Sequence, residues 1–305
     1  MERRKIGSLE VSVIGIGCNN FGWRIDADAT KAVVDAALAA DINFFDTADI
    51  YGAGQSEDFL GRALKGRRAE AIIATKFGMK AGEGNQGARP EYVKRALEVS
   101  LKRLRVDCID LYQIHKPDPD TPIADTLGAL DDAVKSGKVR EIGCSNFSAE
   151  QLREAEKAAA GRARFVSVQN EYSLLQREPE KEVLPECARL KLAFLPFFPL
   201  LNGVLSGKYR VKSSFPERSR GKDGFGPKVF TEENLGKAVE LEEFAVANGH
   251  TLLELAFSWL AMRPEIASVI AGAKTPEQVK ANAAAANWKL NGAALAAVDR
   301  ILATA

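Results

Sequence analysis

Residues 43–52, Asn-Phe-Phe-Asp-Thr-Ala-Asp-Ile-Tyr-Gly, join a short apolar run to a polar loop. The aromatic residues favour a β-strand, and the glycines at positions 52 and 54 favour a turn after it. Such a strand delivers the carboxylate of Asp46 and the phenol of Tyr51 to one loop. Groups at a strand end can catalyse proton transfer or simply cap and pack, and this stretch alone leaves both open.

Strand and helix patterns alternate on both sides of this stretch. Apolar runs predict eight strands, at residues 13–17, 42–47, 71–77, 109–115, 139–145, 165–170, 192–198 and 267–271. Helical spacing and capping residues predict helices at 30–40, 56–64, 122–136, 149–160, 180–190, 231–248, 252–262 and 276–286, one more from residue 90, and a closing helix at 291–303. Strict alternation implies parallel strands with helical crossovers, and eight such units favour a (β/α)₈ barrel.

A doubly wound dinucleotide-binding sheet is the competing α/β architecture. It requires Gly-x-Gly-x-x-Gly after the first strand. Here the first strand ends Gly15-Ile16-Gly17-Cys18-Asn19-Asn20, which lacks the third glycine. We therefore predict an α/β protein whose single domain, residues 1–305, is a TIM barrel with an N-terminal β-hairpin at residues 5–11 and extra C-terminal helices.

Composition narrows the classes of partner. A formal net charge of +1 gives no electrostatic reason to expect nucleic acid or a membrane surface. The chain has only two histidines, which excludes a His-rich metal site, and we predict no metal. The N-terminus carries no apolar signal segment. Four widely spaced cysteines indicate reduced thiols and a cytoplasmic protein; they are Cys18, Cys108, Cys144 and Cys187.

Several polar residues are predicted to meet at one end of the barrel. Active sites of such barrels form at the C-terminal ends of the strands, where this sequence places Asp46, Lys76 and His115, with Tyr51 in the adjoining loop. A buried Lys76 needs a counter-charge, which Asp46 can supply. An ammonium beside Tyr51 favours the phenolate, so we expect it to lower the tyrosine pKa, as a general acid for a carbonyl oxygen requires. Singly, each group could equally be a loop cap or a solvated rim residue.

Long ordered motifs give the chain a specific resemblance. Residues 43–52, 75–76, 110–115, 137–147 and 203–209 resemble those of bacterial-type aldo-keto reductases, and the likeness covers nearly the whole chain. The resemblance implies a barrel that binds extended NADPH/NADP+ without a Rossmann fingerprint. It implies a catalytic tetrad of Asp46, Tyr51, Lys76 and His115. It further implies an NADP-dependent oxidoreductase of the alcohol dehydrogenase class, which reduces an aldehyde or ketone by hydride transfer with Tyr51 as general acid.

The same resemblance implies a set of ligand contacts. Those expected for the cofactor are Ser145, Asn146 and Gln169 at the nicotinamide, Phe197 stacked on its ring, Pro199, Leu200, Gly203 and Leu205 along the pyrophosphate, and Gly272, Lys274, Gln278 and Asn282 around the adenosine. Gly17 is a further expected cofactor contact. Apart from the resemblance, Trp23 and Phe77 belong to loops at the mouth of the predicted barrel, where specificity is set, so we expect them in the substrate pocket. Many relatives have a basic residue at position 272 or 278, where this chain has Gly272 and Gln278. Lys274 is therefore expected to provide most of the recognition of the 2′-phosphate.

The resemblance leaves other features open. A regulatory subunit similar to potassium-channel β subunits, which binds NADPH and turns over slowly, is the alternative function. The partner is otherwise a small carbonyl compound, and the protein is expected to be a monomer or small homo-oligomer. The loop at residues 213–228 is a candidate lid over the ligand. Trp288 could either line the substrate pocket or pack against the barrel. Asp49 is expected to be a solvated or capping loop residue.

Overall fold

The computed structural model describes residues 1–80, 86–209 and 226–303. The strands in this part of the chain are β1 (Arg3–Ile6), β2 (Leu9–Ser12), β3 (Ile14–Gly17), β4 (Phe44–Asp46), β5 (Ile72–Phe77), β6 (Ile109–Ile114), β7 (Val139–Ser145), β8 (Phe165–Glu171), β9 (Ala193–Phe197) and β10 (Val269–Gly272). β1 and β2 form the predicted antiparallel hairpin. The other eight form one parallel sheet in the order β10-β3-β4-β5-β6-β7-β8-β9.

The sheet curls until its first and last strands meet. The Phe194 N–H on β9 donates to the Glu265 carbonyl at 2.7 Å, and the Ala267 N–H donates to the Phe194 carbonyl at 3.1 Å. These bonds join β9 to the segment that enters β10, and the helices pack around the outside. The predicted (β/α)₈ barrel with an N-terminal hairpin is confirmed.

Helices follow the barrel strands as predicted. They are α1 (Ala27–Ala39), α2 (Gln55–Ala63), α3 (Pro90–Leu104), α4 (Ile123–Lys135), α5 (Ala149–Ala159), α6 (Val183–Leu190), α7 (Gly226–Val229), α8 (Glu232–Ala247), α9 (Leu252–Ala261), α10 (Pro276–Ala284) and α11 (Gly292–Ala303). α1 begins earlier than predicted because the Asp26 carboxylate caps it by accepting from the Ala29 N–H at 2.9 Å. α7 was not predicted.

The barrel interior is apolar at one end and polar at the other. Strand alternation turns Phe44, Ala74 and Leu111 inward near the N-terminal ends of their strands, where they form one buried cluster with Ile6 and Leu9 of the hairpin. The hairpin therefore closes this end of the barrel with apolar side chains. The opposite end is left for polar groups.

The structure also bears on membrane spans, on the cysteines and on the predicted lid. The described residues contain no helix that is long and apolar enough to cross a membrane. All four cysteines have free thiols. The predicted lid lies mostly outside the described residues, which resume at Gly226.

Candidate active site

Strand register brings the predicted tetrad to one end of the barrel. Asp46 ends β4 and lies opposite Gly17 of β3 and Ala74 of β5. Lys76 lies two residues beyond Ala74 on the same inward face. His115 directly follows β6, and its N–H donates to the Phe77 carbonyl at 2.8 Å. Three consecutive strands therefore deliver a carboxylate, an ammonium and an imidazole to the same mouth.

Asp46 and Lys76 form a buried ion pair. The Lys76 Nζ donates to Asp46 Oδ2 at 2.5 Å and to the Thr47 carbonyl at 2.9 Å. Asp46 Oδ1 accepts from the side-chain amides of Gln113 at 3.2 Å and Gln169 at 2.9 Å. Burial is the largest single influence and lowers the pKa of Lys76, but the charge of Asp46, the proximity of Tyr51 and the hydrogen bond to Asp46 together raise it by more, so this pKa lies above its ordinary value. Lys76 therefore stays charged.

The turn at Tyr51–Gly54 holds the tyrosine beside this pair. Gly52 and Gly54 have φ of 57° and 91°, and a Cβ on Gly52 would lie 2.8 Å from the Phe21 carbonyl oxygen. Glycine is thus required for the conformation and for the close approach of the neighbouring loop. The Lys76 Nζ lies 5.3 Å from the centroid of the Tyr51 ring.

The pKa of Tyr51 was expected to be lowered, and this expectation is wrong. Lys76 does lower it, as predicted, but burial of the phenol raises it by more, and the charge of Asp46 raises it further. The net pKa lies above the ordinary value for tyrosine. Tyr51 is therefore protonated at neutral pH, the state in which a phenol can give a proton away.

His115 is a neutral imidazole next to Tyr51. The two rings meet edge to face with centroids 5.8 Å apart. Burial and the nearby charges of Lys76 and Lys116 lower the pKa of His115 to about 3. Its Nδ1 has no hydrogen-bond partner among the described residues. At any ordinary pH this ring can donate one hydrogen bond without carrying charge.

The residues predicted around the nicotinamide lie at the ends of β7 and β8. The Ser145 hydroxyl donates to the Gln169 carbonyl at 2.7 Å. Asn146, with φ of 61°, donates from Nδ2 to the His115 carbonyl at 2.9 Å. Gln169 reaches inward to Asp46 and is buried. Phe197 ends β9 and meets Phe198 edge to face with centroids 5.1 Å apart.

The residues predicted around the adenosine lie at and beyond the end of β10, which neighbours β3 and β9 in the barrel. Gly272 of β10 is the register partner of Gly17 on β3, and a Cβ on Gly272 would lie 3.0 Å from Asn20 Nδ2. The Lys274 N–H donates to Gln278 Oε1 at 2.8 Å, where α10 begins. Gly203, which is predicted along the pyrophosphate, has φ of 107° in the turn Leu201–Ser206, and this turn also contains Leu205. Their predicted contacts with a cofactor stay predictions.

Three aromatic predictions meet different outcomes. Phe77 is fully buried and stacks on Tyr112 with centroids 4.8 Å apart. Strand alternation turns it away from Lys76 and towards the helices, so its assignment to the substrate pocket is wrong. Trp288 stacks on His250 at 4.1 Å, which gives it a packing role. Trp23 stays exposed beyond β3, with the Arg24 guanidinium 4.3 Å from its ring centroid.

Sequence reasoning missed two parts of the site. Gln113 lies in the motif 110–115 but was not predicted as a site residue. Strand alternation places it inward, two residues before His115. Asp49 is buried, with 6% of its surface exposed, so of its two expected roles, solvated residue or cap, the solvated one is wrong. The helix predicted from residue 56 begins at Gln55, so Ser56 lies inside its first turn, where it donates to the Cys18 carbonyl at 2.8 Å.

Asp49 gives a prediction on stability and pH. Burial, and then the nearby Glu57, raise its pKa from 3.8 to about 7. The folded protein therefore keeps this proton between roughly pH 4 and 7, where the unfolded chain releases it, so stability falls as pH rises through that window. Over this window we expect the free energy of unfolding to fall by on the order of 2–4 kcal/mol less in Asp49→Asn than in the parent protein. The measurement is the free energy of unfolding in urea at pH 5 and pH 8.

Asp35→Asn provides the matched control for this experiment. Hydrogen bonding and charge from Lys31 and Arg67 lower the pKa of Asp35, so it titrates below the window. The control should lose stability between pH 5 and pH 8 as the parent protein does. If Asp49→Asn also showed the full decline, Asp49 would not be the group that titrates.

The chain is similar to known proteins over nearly its whole length. The chain is 36% identical over 301 residues to aldo-keto reductase yakc of Schizosaccharomyces pombe, whose name includes NADP(+), covering 95% of this chain and 88% of the relative. It is 32% identical over 297 residues to a probable voltage-gated potassium channel subunit beta of Oryza sativa subsp. japonica, covering 92% and 90%. The structure of the glycerol dehydrogenase AKR11B4 from Gluconobacter oxydans aligns with a TM-score of 0.86 at 31% identity, covering 99% of this chain and 95% of that one.

These likenesses extend over whole barrels, and the family model described as "Aldo/keto reductase family" matches residues 13–303. The eight-stranded barrel and the side chains at its mouth lie within the matched range. The chain therefore belongs to the aldo/keto reductase family.

Proposed function

We propose that this protein is a cytosolic, single-domain reductase that uses NADPH to convert an aldehyde or ketone into an alcohol. One observation carries the proposal: a protonated phenol, a buried ammonium and a neutral imidazole meet where β4, β5 and β6 end. Together they provide a proton donor, a charge that stabilises the resulting phenolate, and a neutral hydrogen-bond donor. Those are the groups that reduction of a carbonyl requires.

The predicted tetrad of Asp46, Tyr51, Lys76 and His115 would carry out the proton transfer. When bound, NADPH supplies a hydride to the carbonyl carbon. The carbonyl oxygen takes a proton from the Tyr51 hydroxyl, and the phenolate left behind lies beside the ammonium of Lys76. Because Asp46 and the Thr47 carbonyl hold that ammonium, its position stays fixed while the charge on Tyr51 changes. Water at the mouth can then reprotonate Tyr51.

His115 would orient the carbonyl. Its imidazole lies against the Tyr51 ring and remains neutral because its pKa is lowered to about 3. A neutral ring nitrogen can donate a hydrogen bond to the substrate oxygen without competing for the proton of Tyr51. We therefore assign it orientation and polarisation of the substrate.

The mouth fits a large polar cofactor. Among the described residues, the buried amide oxygens Asn20 Oδ1 and Asn170 Oδ1 have no hydrogen-bond partner. The bare α-carbon of Gly272 leaves space beside Asn20 that a side chain would fill. Ser145, Asn146 and Gln169 would hold the nicotinamide end, with Phe197 against its ring. Pro199, Leu200, Gly203 and Leu205 would follow the pyrophosphate, and Lys274, Gln278 and Asn282 would surround the adenosine.

Lys274 should determine the preference for NADPH. It precedes the N-terminus of α10, where backbone N–H groups and a cation both favour a phosphate. We expect Lys274→Ala to raise the Kd for NADPH about tenfold and to leave the Kd for NADH within about twofold. Fluorescence titration of the two cofactors measures both. Lys289→Ala, an exposed lysine beyond α10, is the matched control; equal weakening of NADPH and NADH by Lys274→Ala would contradict the assignment.

A regulatory role is the second candidate, and the rice relative named as a potassium channel subunit favours it. A regulatory subunit would bind NADPH but scarcely consume it. Steady-state NADPH consumption separates the two functions, because binding without turnover across a broad substrate panel would support the regulatory role.

The decisive experiment is a screen of carbonyl compounds read by NADPH absorbance. The panel should hold aromatic aldehydes, sugars, quinones, steroids, and the small carbonyls glyceraldehyde and dihydroxyacetone, which are the oxidised forms of the alcohol named in the structural neighbour. Each compound is repeated with NADH. Turnover above background with at least one carbonyl supports the reductase, and absence of turnover with intact cofactor binding counts against it.

A further inference from the structure

A charged cluster lies behind the turn that carries Tyr51. Arg103 of α3 donates from Nη1 to the Asp49 carbonyl at 3.1 Å and to Glu57 Oε2 at 3.2 Å. Its guanidinium also lies against Gly54, since a Cβ there would be 2.4 Å from Arg103 Cζ. We call Arg103, Asp49, Gly54 and Glu57 the Arg103 clamp. It touches the chain on both sides of Tyr51.

The clamp is tied to the strand that carries Lys76. The Asp49 N–H donates to the Lys76 carbonyl at 3.0 Å. Glu57 Oε1 accepts from the Thr75 hydroxyl at 2.7 Å, so the residue next to Lys76 is held as well. The ends of the segment 49–54 are therefore fixed to β5 and to α3. Tyr51 lies between these fixed ends, and its ring is aimed at Lys76 and His115.

The helix that carries Arg103 is itself closely placed. A Cβ on Gly61 of α2 would lie 2.4 Å from the Leu104 carbonyl oxygen of α3. The backbones of the two helices therefore touch one residue beyond Arg103. This contact fixes the guanidinium relative to Glu57, which α2 carries.

The charges within the clamp make the guanidinium necessary. Asp49 and Glu57 are both buried, while the Arg103 side chain is 35% exposed. Tyr92 of α3 donates its hydroxyl to Asp49 Oδ2 at 3.3 Å, and Asp49 Oδ1 has no partner among the described residues. Tyr112 of β6 also faces the two carboxyls. Arg103 thus partly neutralises two buried carboxyls, and its loss would leave Glu57 as an uncompensated buried charge.

We propose that Arg103 is a positioning residue for Tyr51: it holds the turn at residues 49–54 from outside the barrel so that the phenol reaches the reacting oxygen. The inference rests on the reductase proposed above and adds a determinant of its proton transfer. Arg103 belongs to α3, which follows β5, whereas nearly all predicted cofactor contacts lie on or after β7 to β10, so its removal should slow the chemical step and spare cofactor binding.

The test compares Arg103→Gln with Arg140→Gln in the full-length protein. Arg140 is a good match because it also pairs a half-exposed guanidinium with a buried carboxylate, Asp110, at 2.7 Å. Arg140 and Asp110 are each the second residue of their strands, β7 and β6, at the end of the barrel away from the mouth. Asp110 also pairs with Arg68 at 2.6 Å, so Arg140→Gln controls for the loss of a half-exposed guanidinium but leaves no uncompensated carboxylate. The free energy of unfolding in urea, measured for both variants, reports that additional cost in Arg103→Gln.

We expect Arg103→Gln to lower kcat by about 10- to 100-fold, since small misplacements of a catalytic group cost that much, with KM and the Kd for NADPH within about twofold. The deuterium isotope effect on kcat with 4-deuterated NADPH should rise, because the chemical step becomes slower than product release. Arg103→Lys, which keeps the charge but lacks the planar guanidinium that lies against Gly54, should recover part of kcat. Arg140→Gln should keep kcat.

Three results would overturn the inference. These are an unchanged kcat in Arg103→Gln, an equal loss of kcat in Arg140→Gln, or a loss of NADPH affinity that matches the loss of kcat. If Arg103→Gln does not fold, Arg103→Lys decides: kcat below that of the parent at unchanged NADPH affinity supports the clamp, and unchanged kcat overturns it. Failure of the reductase proposal is distinguishable, because the parent protein would then consume no NADPH with any carbonyl compound, or Tyr51→Phe would retain full turnover, whatever Arg103 does.

Discussion

Tyr51→Phe should lower kcat by about 10²- to 10⁴-fold while the Kd for NADPH stays within about twofold, because it removes a general acid and little else. The ring is retained, and so are its edge-to-face contact with His115 and its position 5.3 Å from the Lys76 ammonium. Only the hydroxyl that would donate the proton is lost. The turn is held by the backbone geometry of Gly52 and Gly54, which the substitution does not alter.

The experiment needs a control for the loss of a tyrosine hydroxyl as such. Tyr112→Phe supplies it, because Tyr112 is fully buried and its hydroxyl has no hydrogen-bond partner among the described residues. It packs against Phe77 on the helix side of β6, away from the mouth. Tyr112→Phe should keep kcat. Full turnover in Tyr51→Phe would refute both the general acid and the proposed chemistry.

Much of this site was predictable because it follows from strand alternation. In a parallel barrel, residues that end neighbouring strands meet at one mouth, so Asp46, Lys76 and His115 could be grouped from their positions in the sequence. The same two-residue period places Gln113 inward and Phe77 outward. Alternation alone therefore places both residues correctly, whereas the expectation for Phe77 followed from the loop that begins at it.

The remainder depends on tertiary packing that no local pattern encodes. Lys76 lowers the pKa of Tyr51 as expected, yet the net direction is upward because helices and loops bury the phenol. Asp49 looked like a solvated loop residue, but α2 and α3 close over it with Glu57 and Arg103. Both errors concern depth of burial, which depends on elements distant in sequence.

Lys76→Met should have the other large effect, on stability as well as on activity. It leaves Asp46 buried without its cation, and breaking a buried ion pair in this way costs about 3–5 kcal/mol. Gln113 and Gln169 still donate to Asp46, so part of the carboxylate remains hydrogen-bonded. We expect a clear fall in the free energy of unfolding in urea at pH 7. Turnover should also fall, because the phenolate formed at Tyr51 would have no neighbouring charge to stabilise it.

The double variant Asp46→Asn/Lys76→Met separates the two effects. It removes the uncompensated charge but keeps a side-chain oxygen to accept from Gln113 and Gln169, so it should recover about half or more of the lost stability. Activity should remain as low as in Lys76→Met, because no ammonium is restored beside Tyr51. A double variant no more stable than Lys76→Met would mean that packing of the lysine stem, and not charge, accounts for the loss. Recovered turnover would mean that Lys76 acts only by neutralising Asp46. The predicted result, stability without activity, would show that the buried pair is present for proton transfer, since a neutral pair of the same shape serves the fold.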